Sequence, residues 1–236
     1  GEAVTTGDAN TLIGGLAGDA ITTGAKNVAL GKNSLGANTA GNKAVAIGTD
    51  ALATQNITSD GDSFNVAVGY QAGTAVTTGQ FNTLIGGLSG DALTTGAQNV
   101  AIGYSALTTD DLGSHSVAVG PSALFSQNFA TATNSYNTAV GSSAGGAVTT
   151  GVQNTIIGGL AGDALTDADH NVAIGHAALT TDTLGSRSVA IGNGALSTQN
   201  FTTATATYNT AVGDAAGGAV TTGIDNTLIG ATAGDA

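Results

Sequence analysis

The strings NTLIGGLAGDA (10–20), NTLIGGLSGDA (82–92) and NTIIGGLAGDA (154–164) recur at a constant interval, and a fourth copy, NTLIGATAGDA, opens at position 226. Such self-similarity restricts the chain to architectures in which small units stack, because a single unit cannot bury its apolar face alone. The period divides further. The short pattern x-[VT]-x-[ILV]-G begins at positions 10, 27, 44, 65, 82, 99, 116, 137, 154, 171, 188, 209 and 226, so thirteen units follow one another in steps of 17, with a longer step of 21 in every fourth.

Within a unit the second position is Thr or Val, the fourth is Ile, Leu or Val, and the fifth is Gly throughout, as in Thr11, Ile13 and Gly14. This is a short strand that ends at a tight bend. Side chains alternate across a strand, so the second and fourth positions share a face and the third points the other way. Both faces are apolar, as in strands covered on both sides. One face is expected to fill the interior of a coil made by the chain itself. The other, which carries the small third-position residues Leu12, Ala29, Ala67, Leu84, Ala101, Ala139, Ile156, Ala173, Ala211 and Leu228, is expected to pack against a partner chain. On that reading, Glu in place of Ala139 or Ala173 should dissociate the oligomer.

The ninth and twelfth positions compensate each other. Where the ninth is Gly (Gly18, Gly73, Gly90) the twelfth is apolar (Ile21, Val76, Leu93), and where the ninth is Leu (Leu35, Leu52, Leu107) the twelfth is polar (Asn38, Gln55, Asp110). One aliphatic group per coil is kept while its attachment point moves, as an interior of fixed volume requires. The expected fold is all-β, a parallel β-solenoid with two short strands and two turns per coil. At a ladder spacing of about 4.8 Å the thirteen coils would extend roughly 60 Å. The whole chain, 1–236, reads as a single repeat array, and since GEAVTTGDAN already matches the tail of a unit, as a segment of a longer fibre.

Composition narrows the function. The net charge is −12 with Lys26, Lys32, Lys43 and Arg187 as the strong cations, too few to neutralise a run of phosphates, so nucleic acid is not an expected partner. No apolar run is long enough to span a membrane. With no Cys and no converging acidic loop motif, neither a metal nor another cofactor is expected. No nucleophile–base set or phosphate loop stands out, so no enzyme is expected.

The strings NVAIG (99–103 and 171–175), SVAVG (116–120) and SVAIG (188–192), each followed by a small residue and then Ala, resemble the head repeats of trimeric autotransporter adhesins of the YadA type. The longer NTLIGGLAGDALTTG form is similar to repeat shafts of phage tail fibres. The resemblance implies a left-handed parallel β-roll with three parallel chains side by side, an extracellular location on a virion tail fibre or a bacterial surface, and a tip that contacts a host receptor or glycan.

The longer units place their inserted residues in ALATQNITSDGDSFN (51–65), ALFSQNFATATNSYN (123–137) and ALSTQNFTTATATYN (195–209). Each carries Ile57, Phe129 or Phe201 at its middle and Phe64, Tyr136 or Tyr208 before the next unit. Aromatics spaced with a repeat are expected to plug the widened coil. The competing reading makes Phe64, Phe129, Tyr136, Phe201 and Tyr208 receptor contacts. Asp19, Asp91, Asp163 and Asp235, in GDA, are expected to bond their own turn backbone. Threonine doublets such as Thr22-Thr23 and Thr94-Thr95 raise an alternative function, ice binding by a threonine ladder.

Overall fold

The structure is a computed structural model and describes residues 1–59 and 61–235. No described residue is helical, and the described strands form a parallel β-solenoid of about thirteen turns. The chain divides into two compact units, one of Gly1–His115 with Phe129–Thr133 and one of Ser116–Asn128 with Asn134–Ala236.

In the first unit six short strands, Thr11–Ile13, Val28–Leu30, Val45–Ile47, Val66–Val68, Thr83–Ile85 and Val100–Ile102, pair in chain order and all parallel. Their register aligns Leu12, Ala29, Ala46, Ala67, Leu84 and Ala101 in one column. The second unit repeats this with Val117–Val119, Thr138–Val140, Thr155–Ile157, Val172–Ile174, Val189–Ile191, Thr210–Val212 and Thr227–Ile229. Each strand stops at a fifth-position glycine held at positive φ, Gly31 at +135° for example, where an added Cβ would lie 2.5 Å from the Gly48 carbonyl oxygen of the next coil. Only glycine permits that approach.

The far side of the coil is not the second regular strand expected from the sequence. Its ladder persists through shared carbonyls: the Thr39 carbonyl accepts from Thr22 N–H at 2.9 Å and from Gly24 N–H at 3.2 Å, and the Thr94 carbonyl from Thr77 N–H at 2.9 Å and from Gly79 N–H at 3.3 Å. Left-handed residues at the seventh and ninth positions, such as Asn33 (φ 57°) and Leu35 (φ 52°), curl the chain before it can extend. Among the described residues, two-residue strands appear only beside the inserted loops, as where Gly185–Ser186 pairs with Thr205–Ala206.

The faces of the strand are the reverse of the sequence expectation. Ala29, Ala67, Leu84, Ala101, Ala139, Ile156, Ala173 and Ala211 are fully buried within their own chain. Leu12 and Leu228 point the same way in the outermost coils, half-buried there. The fully buried residues of this set cannot form an intermolecular face.

The cause is volume. The coil interior already holds a small eighth-position residue, such as Ala17 or Ser89, and the ninth- or twelfth-position aliphatic, such as Leu35 or Ile21, all buried. That leaves room for a methyl group unless a glycine makes way. Leu84 fits because Gly73 and Gly90 flank it: an added Cβ would stand 2.6 and 2.8 Å from its terminal carbons. Ile156 likewise lies against Gly145 and Gly162. The ninth–twelfth exchange also reaches the interior as expected, with Leu52, Val76, Leu93, Leu107, Val148 and Leu165 all buried.

The polar twelfth residues lie inside too. Asn38, Gln55, Asp110, Gln127, Asp182 and Gln199 are fully buried. Asp182 Oδ1 accepts from the Gly185 and Phe201 amides at 3.1 and 3.0 Å, and its Oδ2 accepts from Gln199 Nε2. Beside them runs a ladder of first-position asparagines. Asn82 Nδ2 donates to the Gly96 carbonyl of its own coil at 3.0 Å, and its Oδ1 accepts the Asn99 amide of the next coil at 3.0 Å. Asn65, Asn137, Asn154 and Asn171 repeat both bonds. Each asparagine thereby closes its own turn and ties it to the next, satisfying backbone groups that burial would otherwise strand.

Candidate binding surfaces

With the third position turned inward, the second and fourth positions form the outer face of the sheet. In the first unit this face carries Val28, Leu30, Val45, Ile47, Val66, Val68, Ile85, Val100 and Ile102. Ile13 is 58% exposed and Ile85 38%. In the second unit Ile157 at 38% and Ile229 at 71% belong to the same kind of column. Threonines such as Thr83 and Thr155 share this face with the aliphatic side chains. Leu16, Leu160, Tyr70 and Tyr104 add exposed apolar groups just beyond the strand's end.

A second feature precedes each strand. The last residue of every coil is held in the left-handed region, including Lys43 (φ 59°), Phe64 (φ 49°), Phe81 (φ 60°), Tyr136 (φ 50°), His170 (φ 60°), Arg187 (φ 67°) and Tyr208 (φ 50°). A bulky residue there costs about 1–3 kcal/mol. Coil-to-coil bonds hold it, such as Lys43 N–H to the Ala25 carbonyl at 3.1 Å and Arg187 N–H to the Asp169 carbonyl at 3.0 Å. The left-handed turn directs these side chains to the surface. In the first unit Phe64 and Phe81 stack with centroids 5.4 Å apart.

This geometry divides the loop aromatics. Phe129 and Phe201, with Ile57, are buried and plug the widened coils, as an aromatic spaced with a repeat is expected to do. Phe64, Tyr136 and Tyr208 stay roughly half exposed and are the loop aromatics that a ligand can reach. Asp91 and Asp163 do not bond their own turns as expected: they accept the hydroxyls of Thr108 and Thr180 in the next coil. In the threonine doublets the first hydroxyl is turned back onto backbone, Thr22 Oγ1 to the Thr39 carbonyl at 3.2 Å and Thr94 Oγ1 to the Asp111 carbonyl at 3.1 Å. The second threonines Thr23, Thr78, Thr95 and Thr150 are exposed, the last donating to Asp167, but Ala40, Leu112 and Asp167 take the same position in other coils and no continuous threonine column forms.

Two clefts lie in the second unit. One of about 390 Å³ runs between Phe125, Leu160, Ser122, Ser143 and Asp163. The other, about 250 Å³, is bordered by Asp169, His170, Ser186, Arg187 and the inserted residues through Ala206. His170 and Arg187 hold equivalent places in successive coils. Among the described residues no group of three or more His, Asp or Glu converges as a metal site. No described helix is long and apolar enough to cross a membrane.

The asparagine ladder is the feature that sequence reasoning misses. Its signal is plain in retrospect: the first position is Asn in ten of the thirteen units, the exceptions being Ala44, Ser116 and Ser188. Comparison with protein-family models, with curated proteins and with solved structures finds no match to this chain.

Proposed function

We propose that the chain is a stretch of a homotrimeric shaft, from a phage tail fibre or a bacterial surface adhesin, that holds a receptor-binding tip away from its base. Three parallel copies of a left-handed β-roll would close against one another through the second- and fourth-position side chains. The observation that carries this reading is the outward apolar column, Val45, Ile47, Val66, Val68, Ile85 and their counterparts, unbroken by a charge from coil to coil. A surface that repeats at the spacing of the coils is best matched by one with the same spacing, and a parallel copy of the same chain supplies it. Contacts of this head-to-tail kind close into rings, of which three copies is the number the resemblance implies.

The role is mechanical and extracellular. Backbone ladders carry load from coil to coil, and the exposed Phe64, Tyr136 and Tyr208 offer places for a host receptor or glycan. The test is the mass of the assembled species by light scattering in dilute buffer. Three chains are expected, and a single-chain mass overturns the reading.

A further inference from the structure

The three inserted coils share a pairing in sequence. A residue that closes the preceding coil is followed, one long step further on, by the aromatic that closes the inserted one: Lys43 and Phe64, His115 and Tyr136, Arg187 and Tyr208. In the first unit Lys43 Nζ lies 4.8 Å from the centroid of the Phe64 ring and forms an ion pair with Asp62 at 2.5 Å. In the second unit the Arg187 guanidinium lies 5.9 Å from the centroid of Tyr208. The residue that stands in the place of Asp62 is Ala206. Arg187 therefore keeps the aromatic and lacks the carboxylate, and among the described residues it has no ion-pair partner. It is also the one Lys or Arg of the second unit in a chain of net charge −12.

Arg187 borders the cleft of about 250 Å³ together with His170, Ser186, Thr205 and Ala206. Asp169 lines it as well, but its Oδ1 is taken by the Val152 amide at 2.8 Å. Ser186 Oγ accepts the Asp169 amide at 2.9 Å, which leaves its hydroxyl proton to donate. The volume lies below the range of about 300–1,000 Å³ typical of drug-sized pockets and suits a single sugar ring.

We propose that this cleft binds the carboxylate of an acidic sugar. The Arg187 fork matches a carboxylate in two parallel bonds, which a lysine at the same place could not do. Ser186 donates to the ring substituents, while Tyr208, outside the cleft, backs the guanidinium with its ring. In the first unit Asp62 supplies internally what the ligand supplies here. The cleft is built within one chain, so the inference stands apart from the trimer reading and can succeed or fail without it.

The test is isothermal titration of the native protein with a trimer of galacturonic acid, against an uncharged galactose trimer of the same linkage and a sulfated one. The uronate trimer should bind at one site per chain. The uncharged trimer, and the variants Arg187→Gln and Ala206→Asp with their thermal melts unchanged, should each bind at least about tenfold more weakly. Ala206→Asp installs the carboxylate of the first unit at an exposed strand position, so it keeps the test open if Arg187→Gln misfolds. Equal binding of the uncharged trimer, unchanged affinity in Ala206→Asp, or no binding at millimolar ligand overturns the inference. Equal binding of the sulfated trimer overturns the carboxylate assignment.

Discussion

Leu84 and Ile85 are neighbours in one strand; Leu84 is fully buried inside its coil, while Ile85 is 38% exposed on the outer face. The two aliphatic side chains answer to different constraints. Leu84 exists because two glycines give way to it, and any change of size there is felt by Leu52, which meets Gly73, and by Leu93 of its own coil, which meets Gly90. Ile85 stands in a column with Val68 and Ile102 on the outer face. Inside, volume is fixed by the coil; outside, only the apolar character is. Small side chains can therefore mark an interior, and larger branched ones the outer face.

The strongest way to break this comparison is to charge the inner face. Ala139→Glu should not dissociate an intact subunit; it should prevent folding, since a carboxylate would be buried without a partner at a cost of about 4 kcal/mol or more. Far-ultraviolet circular dichroism checks it. A variant with a native spectrum and a native melting point would put Ala139 back on the outer face.

Asn82→Ala tests the ladder that lines the same interior. It strands the Gly96 carbonyl and the Asn99 amide, and the loss should be about 3 kcal/mol in a urea titration. A change below about 1 kcal/mol would mean that water replaces the side chain.

Much of this is legible in the letters alone. The alternation of three shorter steps with one longer step fixes the register, because each strand must meet its counterpart one unit on, and the pairing of Leu84 with Ala67 and Ala101 follows from that alone. The exchange between the ninth and twelfth positions is also readable. What misleads is the assumption that the smaller apolar face is the flat one that meets a partner. The correcting signal lies in the same letters: Leu or Ile at the third position occurs only where the ninth is Gly, as in Leu84 with Gly90 and Ile156 with Gly162. Residues that trade volume share a cavity, so the third position has to be inside. The exposure of Phe64 and Tyr208 is harder to see, since it follows from a left-handed turn that bulky residues rarely occupy.

The glycine that makes way for Leu84 offers a finer test. Gly90→Ala places a Cβ 2.8 Å from one Leu84 methyl and 2.9 Å from a Leu93 methyl, and overpacking of this kind should cost about 2 kcal/mol. Part of that cost is backbone strain at φ +54°, and part is the clash. Adding Leu84→Ala to the same chain separates them, because only the clash is relieved. The double variant should recover roughly 1 kcal/mol relative to the sum of the single ones in a double-mutant cycle. Strict additivity would remove the volume argument.

The smallest effect on the fold belongs to the outer face. Ile85→Glu puts a carboxylate where a single chain already meets water, so at a dilution where chains are separate its stability should change by less than about 0.5 kcal/mol. Assembly should respond in the opposite way, because three copies would bring three carboxylates onto one apolar seam. Light scattering of this variant at the concentration where the native protein is assembled should give the mass of one chain. An unchanged assembled mass would show that copies meet elsewhere, and the outward column would then be left as a surface for some other partner. A large loss of stability in the separated chain would instead place Ile85 inside, and with it overturn the contrast between the two sides of the strand.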